Sequence, residues 1–128
     1  MSARTLLKMD DAPLPTASES VTPLAIRVTL GDGRSHTYVV AQGERSLEIG
    51  RGRWTNYRNG HLSVADKHVS KNHCRLFWDD LYGWMLEDLG SVNGTRVNGF
   101  FAIGMLEVGR GLDMQLGSTV IGVTALSR

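Results

Sequence analysis

At 128 residues the chain has room for one compact core and some loose chain, and 41% hydrophobic against 21% charged residues is the balance of a globular domain, not of a fibrous or wholly disordered protein. A formal net charge of +1 excludes recognition by bulk charge, so any ion-driven binding has to come from local clustering. The single cysteine, Cys74, excludes an internal disulfide and a cysteine-based zinc site, and fits a reducing compartment, expected to be the cytoplasm.

Taken in chain order, the first segment is "MSARTLLKMDDAP", whose two leucines fall far short of a signal peptide's apolar region. All three prolines, Pro13, Pro15 and Pro23, lie in the first 23 residues among Thr, Ser, Ala and Glu, so residues 1–22 are expected to be a flexible tail and residues 23–128 a folded domain. From Ala25 onward apolar residues alternate with polar ones: Ile26/Val28/Leu30, Leu47/Ile49 and Leu62/Val64. Further strands are expected at Thr37–Val40, Cys74–Trp78, Trp84–Asp88, Leu112–Leu116 and Thr119–Leu126. Between them stand "GDG", "DD", "LGS", "NG" and "GRG", and 15 glycines among short strands point to an all-β sandwich or barrel. No window keeps a helical apolar stripe, which argues against an α/β nucleotide-binding fold, and no stretch has the length to span a membrane.

Polar residues concentrate in three turn regions, "IGRGRW" (49–54), "VSKNH" (69–73) and "DLGSVNGTRVNG" (88–99). Ser70, His73 and Asp88 have the residue types of an acyl-transfer triad, but the serine lacks the strained Gly-x-Ser-x-Gly turn, and no enzyme activity is expected. His61, His68, His73 and Cys74 match no usual zinc spacing; no metal and no cofactor is expected. Phosphate is the better ligand. Arg51, Arg53, Arg58, Lys67, Lys71 and Arg75 stand in one stretch against the single acid Asp66, and arginine, serine and lysine are the side chains that grip a phosphate. Trp54 and Tyr57 interleave with these arginines, but nucleic-acid binding needs more phosphate contacts and an open stacking face.

The order of "IGR" (49–51), "VSKNH" (69–73) and "LGSVNGTRVNG" (89–99), followed by Gly111-Leu112-Asp113 and Leu116-Gly117, resembles the forkhead-associated (FHA) domain signature over roughly residues 25–126. The resemblance implies a β-sandwich of about eleven strands whose loops at one end bind phosphothreonine in an extended peptide. It casts Arg51 as the phosphate-gripping arginine, Ser70 as a hydroxyl donor to a phosphate oxygen, Lys71 as a second cation and Asn93 as the hydrogen-bonding partner of the peptide backbone. His73 becomes a brace beneath the loops, with Gly50, Gly94, Thr95 and Asn98 supporting loop shape.

Two features depart from the family pattern. The stretch from Arg51 to Ser70 is longer than usual, so an extended loop carrying Arg53, Trp54, Tyr57 and Arg58 is expected beside the site as a candidate specificity loop. Val92 stands where some members carry a further hydroxyl that touches phosphate. The implied function is a phosphothreonine-dependent interaction module in Ser/Thr-kinase signalling, its partner a phosphothreonine protein such as a kinase or kinase substrate, with neither nucleic acid nor membrane. The alternative is an FHA-fold scaffold or secretion-system domain that binds no phosphate. Thr5, Thr16 and Thr22 add a route to self-binding through a phosphorylated tail.

Overall fold

The computed structural model describes residues 21–40 and 43–126. Residues 1–20, with Thr5 and Thr16, lie outside the described residues. The folded part takes in two residues that the sequence reading left to the tail. Val21 is fully buried in the core, and the Thr22 carbonyl accepts a hydrogen bond from the Trp84 indole N–H at 2.6 Å.

Twelve strands are assigned among the described residues, against about eleven expected, and no helix occurs there. In chain order they are β1 (Leu24–Thr29), β2 (Ser35–Val40), β3 (Ser46–Arg51), β4 (Asn56–Arg58), β5 (His61–Val64) and β6 (Cys74–Asp79). They continue with β7 (Gly83–Asp88), β8 (Arg96–Val97), β9 (Phe100–Phe101), β10 (Met105–Glu107), β11 (Gly111–Leu116) and β12 (Thr119–Ala125). Two six-stranded sheets result, ordered β9-β8-β11-β12-β1-β2 and β10-β7-β6-β3-β5-β4. Period-two alternation does the work of assembly. Leu24, Ile26, Val28, Ile121 and Val123 face inward from one sheet, Leu47, Ile49, Leu62, Val64 and Leu76 from the other, and together they form the buried core of a sandwich.

The expected long loop after Arg51 contains two short strands. β5 lies parallel to β3, with Arg51 opposite Val64, and β4 folds back antiparallel on the outer edge of β5. The turn between β4 and β5 is Asn59-Gly60, both at positive φ (51° and 77°), a two-residue hairpin whose twist suits the flanking strands. Tyr57, expected on a loop, is packed against the core.

Register decides what meets at each end. β3 and β5 both end at Arg51 and Val64, and antiparallel β6 and β7 bring Cys74 and Asp88 level with Ile49. The β11–β12 turn joins this end through Asp66, whose carboxylate accepts the Ser118 N–H at 2.9 Å and the Thr119 hydroxyl at 2.7 Å. The β1–β2 turn is there too, since Thr29 pairs with Val120. The opposite end holds Val21 to Pro23 and the β6–β7 turn, and Leu126 N–H donates to the Pro23 carbonyl at 2.9 Å.

Candidate functional site

Arg51 is the last residue of β3, and its position is fixed by its own backbone: its N–H donates to the Ser70 carbonyl at 2.9 Å. Gly50 makes that approach feasible. A Cβ there would overlap the Lys71 carbonyl oxygen, so only glycine lets the strand lie against the β5–β6 loop. The Arg51 side chain is exposed, and its guanidinium rests on the Val69 carbonyl through a long 3.3 Å hydrogen bond. A bond at that limit is weak, and an anion displaces it readily. Beside it lies a cleft of about 160 Å³ whose walls include Gly50, Arg51, Ser63, Lys71 and Asn72.

His73 is completely buried and ties three segments together. Its Nδ1 accepts the Ser70 N–H at 3.0 Å, its Nε2 meets the Gly94 carbonyl at 2.9 Å, and its backbone carbonyl accepts the Leu89 N–H at 2.9 Å. A carbonyl can only accept, so Nε2 carries the proton and the ring is the neutral Nε2–H tautomer. The ring therefore bridges the β5–β6 loop to the β7–β8 loop from below. Ser70 adds a bridge from above, its Oγ accepting the Val92 N–H at 2.9 Å. That contact uses a lone pair and leaves the hydroxyl hydrogen free to donate to a ligand.

Asn93 is exposed on the β7–β8 loop, and its Nδ2 donates to the His68 carbonyl at 2.8 Å, which fixes its amide orientation. The amide oxygen keeps its capacity to accept a further hydrogen bond. Next to it, Gly94 has φ 82°, and a side chain there would strike the Phe101 ring at 2.6 Å. A second cleft, of about 180 Å³, runs from Asn93 and Gly94 past Arg96 to Gln115 and Gly117. Asn98, at φ 54°, is the first residue of the β8–β9 hairpin turn, with Gly99 after it.

Two carboxylates wind these loops, and the sequence reading gave neither that role. Asp88 accepts the Gly90 and Ser91 N–H groups at 2.9 and 3.0 Å, the Ser91 hydroxyl at 2.6 Å and the buried Thr95 hydroxyl at 2.7 Å. Asp66 accepts the His68 N–H at 2.8 Å besides its bonds to Ser118 and Thr119. Partial burial pushes each carboxyl upward, but the donated hydrogen bonds outweigh it, and both lie below the ordinary value of 3.8. The signal was present in "DKH" and "DLGS", where an aspartate two residues before a backbone N–H sets up a side-chain-closed turn.

The triad residue types do not form a relay. Ser70 Oγ is bonded to Val92, His73 to two backbone groups and Asp88 to its own loop. Cys74 is buried beside His73, and burial pushes its thiol up to about 12. Among the described residues no cluster of three or more His, Cys, Asp or Glu side chains is placed to hold a metal ion.

Thus β3 and two loops bring Arg51, Ser70, Lys71 and Asn93 to one end of the sandwich, with His73, Gly50, Gly94 and Thr95 in the frame. Arg53 and Trp54 follow Arg51 on the same rim, and Trp54 is 72% exposed. Arg58 stands apart. It pairs with His61, level with Glu48, three residues back along β3 from Arg51, or about 10 Å.

A solved FHA domain studied for phosphothreonine-dependent interactions is similar over 81% of this chain and 99% of that one, with 29% identity and a TM-score of 0.60. The FHA domain of the CT664 protein from Chlamydia trachomatis has 18% identity and a TM-score of 0.65 over 83% of this chain and 100% of that one. EmbR of Mycobacterium tuberculosis, solved with a low-affinity phosphopeptide, has 16% identity and a TM-score of 0.60 over 96% of this chain and 30% of that one. These last two share the fold. No curated protein matches the chain in sequence. The FHA domain family model matches residues 47–117, more than half the chain and the stretch that runs from β3 through every loop just described to the β11–β12 turn. With the two-sheet sandwich and the ordered motifs on the same residues, the chain belongs to the FHA domain family.

Proposed function

We propose that this chain is a phosphothreonine-dependent protein-interaction module. Arg51 grips the phosphate through paired N–H donors, Ser70 donates its hydroxyl, Lys71 adds a second cation and Asn93 holds the peptide backbone in register. The observation that carries this reading is the double fastening of Ser70. Its N–H is held by His73 and its Oγ by Val92 N–H, so the hydroxyl is fixed with its hydrogen unspent, on the same loop that receives the Arg51 backbone. The similarity to an FHA domain with phosphothreonine-dependent interactions supports the same reading. The partner class is a phosphorylated Ser/Thr kinase or kinase substrate. Burial of the threonine methyl is worth about 1 kcal/mol, so phosphothreonine is preferred over phosphoserine by about fivefold.

The test is a titration of a degenerate phosphothreonine peptide library, with phosphoserine and unphosphorylated controls, against wild type and Arg51→Ala. Loss of one charge-assisted contact lowers affinity about tenfold or more. Equal binding by the two proteins refutes the assigned site, and binding that ignores the phosphate favours a scaffold role.

A further inference from the structure

A second cationic cleft lies on the same end of the molecule, on the side of Arg51 where Arg53 follows. It encloses about 270 Å³ and joins the two sheets: Leu30 and Arg34 come from the β1–β2 turn, His36 from β2, and Arg53, Trp54 and Thr55 from the β3–β4 connection. Its walls are fastened. Gly52 N–H donates to the Val64 carbonyl at 3.1 Å, Ala65 N–H to the Thr55 hydroxyl at 3.0 Å, and the Tyr38 hydroxyl to the Thr55 carbonyl at 3.3 Å. The connection is thus clamped between both sheets. A His36–Tyr38 stack, with ring centroids 6.4 Å apart, steadies the imidazole on the facing wall.

The charge is one-sided. Asp32 is the carboxylate tied to this cleft, and it engages Arg34 through Nε at 2.7 Å and the backbone N–H at 2.9 Å, which aligns the guanidinium and leaves both terminal nitrogens for a ligand. Among the described residues no carboxylate forms an ion pair with Arg53. Two guanidinium groups across a cleft, a histidine on one wall and an exposed indole at the rim suit a tetrahedral oxyanion borne on an extended chain, the indole covering the chain's apolar part.

We propose that this cleft is a second anion subsite that takes another phosphorylated side chain of the same peptide. The inference rests on the phosphothreonine reading of the Arg51 site. Arg53 lies two residues beyond Arg51, so with side-chain reach the two anions are spaced by about two to five residues of extended peptide. The subsite gives the module a preference for doubly phosphorylated segments, or for ones in which an acidic residue stands in for the second phosphate.

The experiment uses the full chain and peptides carrying one phosphothreonine, with a phosphoserine, a glutamate or a serine placed in turn at each of about five positions on either side. The expected result is about a tenfold gain for phosphoserine at one or two neighbouring positions on one flank, and a smaller gain for glutamate. Arg53→Ala and Arg34→Ala each remove most of that gain, and Arg34→Ala leaves affinity for the singly phosphorylated peptide unchanged. The Trp54 indole N–H resonance shifts further with the doubly phosphorylated peptide than with the singly phosphorylated one. Tight binding of the singly phosphorylated peptide with no gain at any position overturns the subsite while leaving the Arg51 site intact. A gain that survives in Arg34→Ala and Arg53→Ala overturns it as well. Failure of every phosphorylated peptide to bind refutes the Arg51 reading, and the subsite falls with it.

Discussion

Ser70 and His73 sit three residues apart and are expected to respond very differently to truncation. His73→Ala leaves the part-buried Ser70 N–H and Gly94 carbonyl unpaired and opens a cavity, a loss of about 3 kcal/mol that lowers the urea midpoint and phosphopeptide affinity together. Ser70→Ala frees the N–H of Val92, a residue 88% exposed, so water takes the vacated place and stability changes by less than about 1 kcal/mol while phosphopeptide affinity falls about tenfold. Equal stability losses in the two variants contradict the division into donor and brace. Cys74 offers a third check. With its thiol pushed up to about 12 and fully buried, it is expected to resist iodoacetamide at pH 8 in the native protein and to react once urea unfolds it; rapid native labelling contradicts that packing. At this scale the sequence was informative about residue type and weak about partners. Arg51, Ser70 and Asn93 stood out by motif, but that Ser70 Oγ accepts from Val92, or that Gly50 is needed for a carbonyl and not for a turn, depends on loops far apart in sequence.

Among the elements, the β7–β8 loop shows how a carboxylate can replace secondary structure. Four donors converge on Asp88, and its folded-state carboxyl lies below 3.8. A group lowered on folding contributes stability that is full above its unfolded value and is lost as pH falls through its folded value. Asp88→Ala is therefore expected to be less stable than wild type by about 2 kcal/mol at pH 7, with the gap narrowing as pH drops below 3.8. A gap that stays constant down to pH 2.5 in urea melts refutes the linkage. The strands themselves were legible wherever alternation ran four residues or more, as in β1, β3, β5 and β12. β4, β8, β9 and β10 were not, because two or three residues carry too little period to see. The parallel β3–β5 pair was hidden for another reason. Local pattern marks a strand's faces and says nothing about which neighbour it adopts, and the Asn59-Gly60 turn inside the supposed loop was the missed hint.

For the molecule as a whole, the sandwich separates its duties by end. Arg51, Ser70, Asn93 and the Arg34–Arg53 cleft share one rim, while Thr22 lies at the other, its carbonyl held by Trp84. The class of fold followed from the composition of the turns and the shortness of the strands. The two-sheet order could not be read, since β8 and β9 join one sheet and β10, only a few residues on, joins the other. One contact at the far end has a topological consequence. Pro23 and Leu126 are hydrogen-bonded neighbours at the edges of paired strands β1 and β12, so the first and last strands of the described fold already touch. A circular permutant in which a short glycine linker joins residue 126 to residue 21, with new ends opened between the exposed Leu81 and Tyr82, cuts no strand and leaves every loop of the rim continuous. It is expected to fold and to bind the same phosphopeptides with unchanged affinity. The order of strands around the two sheets, not the point at which the chain starts, shapes the rim.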